Sequence, residues 1–196
     1  MQRGLLDRCR FVQAPASDLL GIDDESVDAV MLRSVLIYEP DKAAAFAEFY
    51  RVLHPGGRLS LFEPINRLSK PFGGYDFGPV TELAAKVRKV YEAIQPAESD
   101  PMRNFDERDL LALAERAGFE ELHLQLTIDV RRTPPCPWTA TLHIAANPRL
   151  PTLAEAMRQA PNPEEADHLS THLQPLVERG HGKQRIAVCY LSAPRL

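Results

Sequence analysis

The sequence predicts an α/β fold built on a mostly parallel sheet, and three observations predict it. Val27 to Leu32 (VDAVML) is apolar at nearly every position, as in a parallel strand covered by helices on both faces. Phe46, Phe49, Tyr50 and Leu53 then fall at the i, i+3, i+4, i+7 spacing of one helix face, and Arg58 to Phe62 follows as a second strand. A strand, helix, strand unit in one sheet is nearly always a right-handed parallel crossover. Third, two further strand patterns lie downstream with helical patterns between them. The length of 196 residues suits one domain, 1–196, and 44% hydrophobic residues suffice for its core.

Taken in order, Arg10 to Gln13 is a short strand candidate and Val27 to Leu32 should be the central strand. Pro40 and Asp41 open the Ala-rich helix, with Pro tolerated in the first turn, and His54-Pro55-Gly56-Gly57 stops it. Residues 64 to 105 read as irregular. Asp106 should cap a helix running to Ala117, where Gly118 can take the left-handed conformation and Phe119 packs back. Leu122, Leu124, Leu126, Ile128 and Val130 then alternate with polar residues, a strand with one wet face near a sheet edge. The segment 132 to 184 is rich in proline (Pro134, Pro135, Pro137, Pro148, Pro151) but carries helical patterns at about 151 to 160 and 163 to 179. Their apolar positions, Leu153, Met157, Leu169, Leu173, Leu176 and Val177, need a surface to cover, which suggests a helical cap. The last strand, Arg185 to Leu191, is apolar on both faces and should lie inside the sheet.

Composition narrows the function. With 23 Lys plus Arg against 27 Asp plus Glu, the net charge of -4 offers no basic excess for a phosphate backbone, so nucleic acid is not the expected partner. No apolar run approaches the roughly 18 residues of a membrane span, and Met1-Gln2-Arg3-Gly4 does not open an apolar signal core. No membrane partner and a cytoplasmic location are therefore expected. Cys9, Cys136 and Cys189 are odd in number and far apart, without CxxC spacing, and read as reduced thiols. His168 and His172 share a helix face, but HLSTH lacks the Glu and third ligand of a zinc hydrolase, so no metal is expected.

Four stretches, in order and at these separations, carry a resemblance: FVQAPASDL at 11–19, the acidic turn with VDAV at 23–30, RSVLIY at 33–38 and EFYRVLHPGGRLSLFEPIN at 48–66. Over residues 10 to 66 the chain resembles the second half of the core of class I S-adenosyl-L-methionine (SAM) dependent methyltransferases, in the small-molecule group that includes ubiquinone and menaquinone biosynthesis enzymes. NFDERDLLALAERAGFEELHLQL from 104 and RIAVCYL from 185 resemble that family's last helix and final antiparallel pair. The resemblance implies a partial Rossmann-like methyltransferase sheet of order 3-2-1-4-5-7-6, with the C-terminal strand antiparallel, plus a helical cap. It implies SAM as cofactor and methyl transfer to a small-molecule substrate. It also implies an N-terminally truncated domain: the family's first strand, its Gly-rich turn and its second strand would precede Met1. Gly56-Gly57 does not replace that turn, because it ends a helix and starts a strand.

The resemblance assigns sites. Ala14, Pro15 and Ala16 would border the adenine, and Arg33 and Ser34 would line the cofactor and the transferred methyl. Glu63 and Asn66 would face substrate, Glu63 as an orienting or general-base carboxylate. Because ligands in open α/β sheets sit outside the carboxyl ends of the strands, Arg33, Ser34 and Glu63 should reach one edge. The segments 64–105 and 132–184 should leave from that edge and cap it, with Phe72, Tyr75, Phe77 and Trp138 as an apolar roof. There Tyr38 and Trp138 would touch substrate and His143 could deprotonate it.

Each residue has a plainer reading. Glu63 could instead bond strand-end N–H groups, Tyr38 could be packing, and His143 could be solvated. Two functions stay open: a methyltransferase acting by in-line displacement under proximity, or a non-catalytic methyltransferase-like interaction module or pseudoenzyme. A truncated sheet would leave one edge of the strand Val27 to Leu32 unpaired. Residues 10 to 13, or a second copy in a homodimer, should then cover it.

Overall fold

The computed structural model describes residues 8–69 and 71–196, with the side chains of Pro71 and Phe72 outside that description. Met1 to Gly4 also lie outside it. The elements in chain order are β1 (Val27–Arg33), α1 (Lys42–Val52), β2 (Leu53–Pro64), α2 (Thr81–Ile94), α3 (Glu107–Ala117), β3 (His123–Arg132), α4 (Trp138–His143), α5 (Leu153–Gln159), α6 (Pro163–Glu178) and β4 (Lys183–Pro194), with short 3-10 turns between them.

The four strands form one sheet in the order β1-β2-β4-β3. β1 and β2 are parallel, Val30 opposite Leu59 and Leu32 opposite Leu61. β4 runs against β2: Gly56 N–H donates to the Arg195 carbonyl at 2.7 Å at one end, and Ile65 N–H to the Ala187 carbonyl at 2.9 Å at the other. Thr133 N–H donates to the Gly182 carbonyl at 3.0 Å, so β3 also runs against β4 and in the same direction as β1 and β2. The sheet is thus mostly parallel with an antiparallel C-terminal strand lying inside it, as expected, and its order matches the last four strands of the order that the resemblance implies.

Three expectations fail. Arg10 to Gln13 forms no strand: Phe11 is 85% exposed, Pro15 close by lacks a donor, and the Arg10 guanidinium donates to the Gly21 carbonyl at 2.9 Å. β1 is not central but an edge among the described residues, with Met31 80% exposed. An apolar run tells that a strand can be buried, whereas its neighbours decide whether it is. Finally, residues 64 to 105 are not irregular throughout, since α2 fills fourteen of them.

The chain divides into two compact units, residues 1–63, 107–125 and 190–196 as unit 1, and 64–106 with 126–189 as unit 2. In unit 1, Phe46, Phe49 and Val52 of α1, Leu110 and Ala114 of α3, Leu59 and Leu61 of β2 and Leu191 of β4 are all buried. Asp41, one residue past Pro40, is the N-cap of α1 and accepts from Ala44 N–H at 2.9 Å. α3 ends at Gly118, whose φ of +109° lets Phe119 N–H reach the Ala114 carbonyl at 3.1 Å. The Phe119 ring then meets Tyr50 edge-on at 5.1 Å.

Unit 2 has a helical core of its own. Val80, Ala84, Val87, Trp138, Leu153, Met157, Leu169, Leu173 and Val177 are buried in one cluster. Thr152 with Glu155 and Asn162 with Glu165 form capping boxes that start α5 and α6, the two helices the sequence pattern placed. Among the described residues no helix is long and apolar enough to cross a membrane.

Candidate active site

In unit 1 the ends of β1 and β2 are tied together. Ser34 N–H donates to the Phe62 carbonyl at 2.9 Å, and Glu63 Oε1 accepts from Val35 N–H at 2.9 Å and Leu36 N–H at 3.1 Å. Residues 33–36 and 62–63 therefore emerge at one rim, the carboxyl ends of two adjacent parallel strands. Ser34 holds φ of +55°, a left-handed conformation that a non-glycine residue adopts at a cost of about 1 kcal/mol. Its backbone turns the chain from β1 into the 3-10 turn Leu36–Tyr38.

Glu63 is fully buried, and burial pushes its carboxyl above the usual range, against the pull of the backbone N–H groups and of Lys42. Oε2 is buried without a hydrogen-bond partner. The carboxylate as placed holds the turn that follows β1. Arg33 is exposed and lies over the Phe62 ring, 5.2 Å from its centroid. Tyr38 is 66% exposed.

The segment bearing Ala14, Pro15 and Ala16 is held to the same rim from its far end. Ser17 N–H donates to Glu39 Oε2 at 3.3 Å, and Leu19 N–H to Glu48 Oε2 at 2.7 Å. Arg51 clamps Glu48 through two nitrogens, each at 2.7 Å, and also donates to the Ile22 carbonyl at 3.0 Å and to Asp24 at 2.6 Å. The Arg51 guanidinium holds the Glu48 carboxyl below its ordinary range. No sequence signal marked Glu48 and Arg51 as the supports of this loop, because each is an ordinary polar residue on a helix until the loop folds onto it.

In unit 2, Asn66 and Trp138 line one cavity of about 860 Å³, and Asn66 Nδ2 donates to the Met102 carbonyl at 3.0 Å. Tyr75 lines it too, while His143, exposed at the end of α4, does not. His172 Nε2 donates to the Asp76 carbonyl, 2.9 Å away. Arg88 and Tyr91 on α2 also line the cavity. They were missed with their helix, although Ala84, Val87, Tyr91 and Ile94 sit at helical spacing and could have revealed it.

Residues 2–61 match the Methyltransferase domain family. The chain is 28% identical over 127 residues to the ubiquinone/menaquinone biosynthesis C-methyltransferase UbiE of Idiomarina loihiensis, covering 63% of this chain and 50% of that protein. It is 35% identical over 126 residues to the UbiE of Klebsiella pneumoniae subsp. pneumoniae, covering 61% and 49%. The chain thus spans about half the length of the curated relatives it matches. Among solved structures, the YcgJ protein of Bacillus subtilis aligns with 95% of this chain and 70% of its own at 15% identity, with a TM-score of 0.49. By its sequence matches, the chain is similar to class I SAM-dependent methyltransferases, a likeness carried by residues 2–61 and by about half the length of the UbiE relatives.

Proposed function

We propose that the protein transfers a methyl group from SAM to a small-molecule acceptor, with the donor received at the rim of unit 1. The observation that carries this reading is the rim of unit 1, where Ser34, the turn after it and Glu63 converge beside the anchored loop 14–19. Ala14 and Ala16 are half-buried and present methyl groups and backbone, which suit one face of a purine, while Ser34 adds a hydroxyl. When bound, SAM supplies a methyl carbon made electrophilic by its sulfonium. The chain's own task is to orient and to exclude water, since in-line displacement gains most from reacting atoms held about 3 to 3.5 Å apart. Glu63 serves in this reading as a positioning residue that fixes the Ser34–Ile37 turn. His143 is the candidate proton acceptor, and Asn66, Tyr38 and Trp138 are candidate substrate contacts.

Calorimetric titration of SAM into the chain tests the reading. Saturable micromolar binding, lost on Ser34→Trp, supports the transferase. A folded chain that takes up no SAM favours the non-catalytic interaction module instead.

A further inference from the structure

We propose that the cavity of unit 2 binds an aromatic carboxylic acid, with the carboxylate on Arg88 and the ring among the aromatic and aliphatic walls. From the functional reading above, the proposal takes only that the acceptor is a small molecule. The class of molecule comes from the cavity itself.

The volume, about 860 Å³, lies within the few hundred to about 1,000 Å³ typical of small-molecule sites. Trp138, Leu153, Leu173 and Val177 supply apolar wall and belong to the buried helical cluster, so the wall is built on rigid elements. Tyr75 and Tyr91 line it as well, and burial raises both phenols, which keeps them neutral and able to donate.

Arg88 is the anomaly. Its Nε is buried with no hydrogen-bond partner among the described residues. Other arginines nearby are answered: Arg149 by Asp100 at 3.0 Å, Arg67 by Glu98 at 3.4 Å, and Arg103 by the Gln95 carbonyl at 3.2 Å. Glu92, one turn further along α2, also lines the cavity but is exposed and forms no pair with Arg88. A guanidinium cannot shed its proton at ordinary pH, so an unanswered buried donor costs stability until an acceptor arrives. A planar carboxylate matches its fork with two parallel hydrogen bonds. The tyrosine and tryptophan rings favour an aromatic body over a purely aliphatic one.

The chain has a single tryptophan, Trp138, so its emission reports occupancy of this cavity directly. The probes are 3-phenylpropanoate and its uncharged amide, titrated into the full chain without SAM. The acid is expected to give a saturable change at an affinity about tenfold or more above the amide, the scale of a charge-assisted bidentate pair. Arg88→Met should bring the acid down to the amide's affinity while the thermal midpoint does not fall, because the substitution removes an unsatisfied donor. Equal affinity for acid and amide, or no saturable response from the cooperatively melting wild-type chain, overturns the proposal. So does an Arg88→Met chain that melts earlier yet binds the acid as before, since Arg88 would then be structural. Neither probe involves SAM, so a failed SAM titration and a failed acid titration strike different claims.

Discussion

At the scale of single residues, Glu63 decides how the rim of unit 1 is held. Its Oε1 answers two backbone N–H groups while Oε2 has no partner, and burial raises its folded-state pKa above the unfolded value. The folded state therefore binds the proton more tightly. Stability from this group is full below the unfolded carboxylate value and is lost as pH rises through the raised folded value. Glu63→Gln keeps an acceptor for Val35 and Leu36 and removes the charge, so it should flatten that part of the stability-versus-pH curve and leave stability at neutral pH equal or higher. Glu63→Ala strips both N–H groups of their acceptor and opens a void, at a cost of about 2 to 4 kcal/mol. Urea denaturation across pH measures both. A Gln variant that keeps the wild-type pH slope would show that Glu63 is not the titrating group. The role of Glu63 was half legible in the sequence: its place at the end of β2 followed from the apolar run before it. Whether the carboxylate faces outward or back onto the turn depends on the left-handed Ser34, which no local pattern announces.

At the scale of elements, the C-terminal end of α1 shows how a distant residue completes a helix. The Arg195 guanidinium donates to the carbonyls of Tyr50, Arg51 and Leu53, stacks over the Tyr50 ring at 4.6 Å and pairs with Glu25 at 2.6 Å. It thereby supplies positive charge and donors to a helix end whose last carbonyls have no partner within the helix. Arg195→Ala should cost about 2 to 3 kcal/mol in urea denaturation, and Arg195→Lys should recover only part of this, because an ammonium cannot reproduce the planar fork. Loss of less than about 0.5 kcal/mol in the Ala variant would mean that these contacts are surface pairing only. The same element shows where sequence reading succeeds and where it stops. Phe46, Phe49 and Leu53 are buried as their spacing demands, whereas the helix end rests on a residue more than 140 positions away that periodicity cannot connect. α2 was overlooked because prolines and glycines crowd the residues before it, although its own pattern is amphipathic. Arg10 to Gln13 erred the other way: four residues of strand composition form no ladder without a neighbour to bond.

At the scale of the whole molecule, the outstanding question is the edge of the sheet. β1 bonds to β2 on one side, and among the described residues no strand lies on its other side, so the backbone groups of this parallel strand that face away from β2 have no ladder partner. Such edges are usually blunted by Lys, Pro or a bulge on the outer strand. VDAVMLR has neither Lys nor Pro; its charges are Asp28 and Arg33, and its register shifts between Val27 and Ala29. Met31 is 80% exposed on it. We therefore expect a second copy of the chain to pair along β1, giving a dimer whose population rises with concentration in sedimentation velocity. A net charge of -4 per chain opposes close approach, so added salt should strengthen the association by screening. Met31→Lys places a like charge on the same strand in both copies and should shift the chain to monomer without lowering its thermal midpoint, since that side chain is barely packed in the single chain. If the wild-type chain sediments as one monomeric species over the whole concentration range, β1 is not a self-pairing edge.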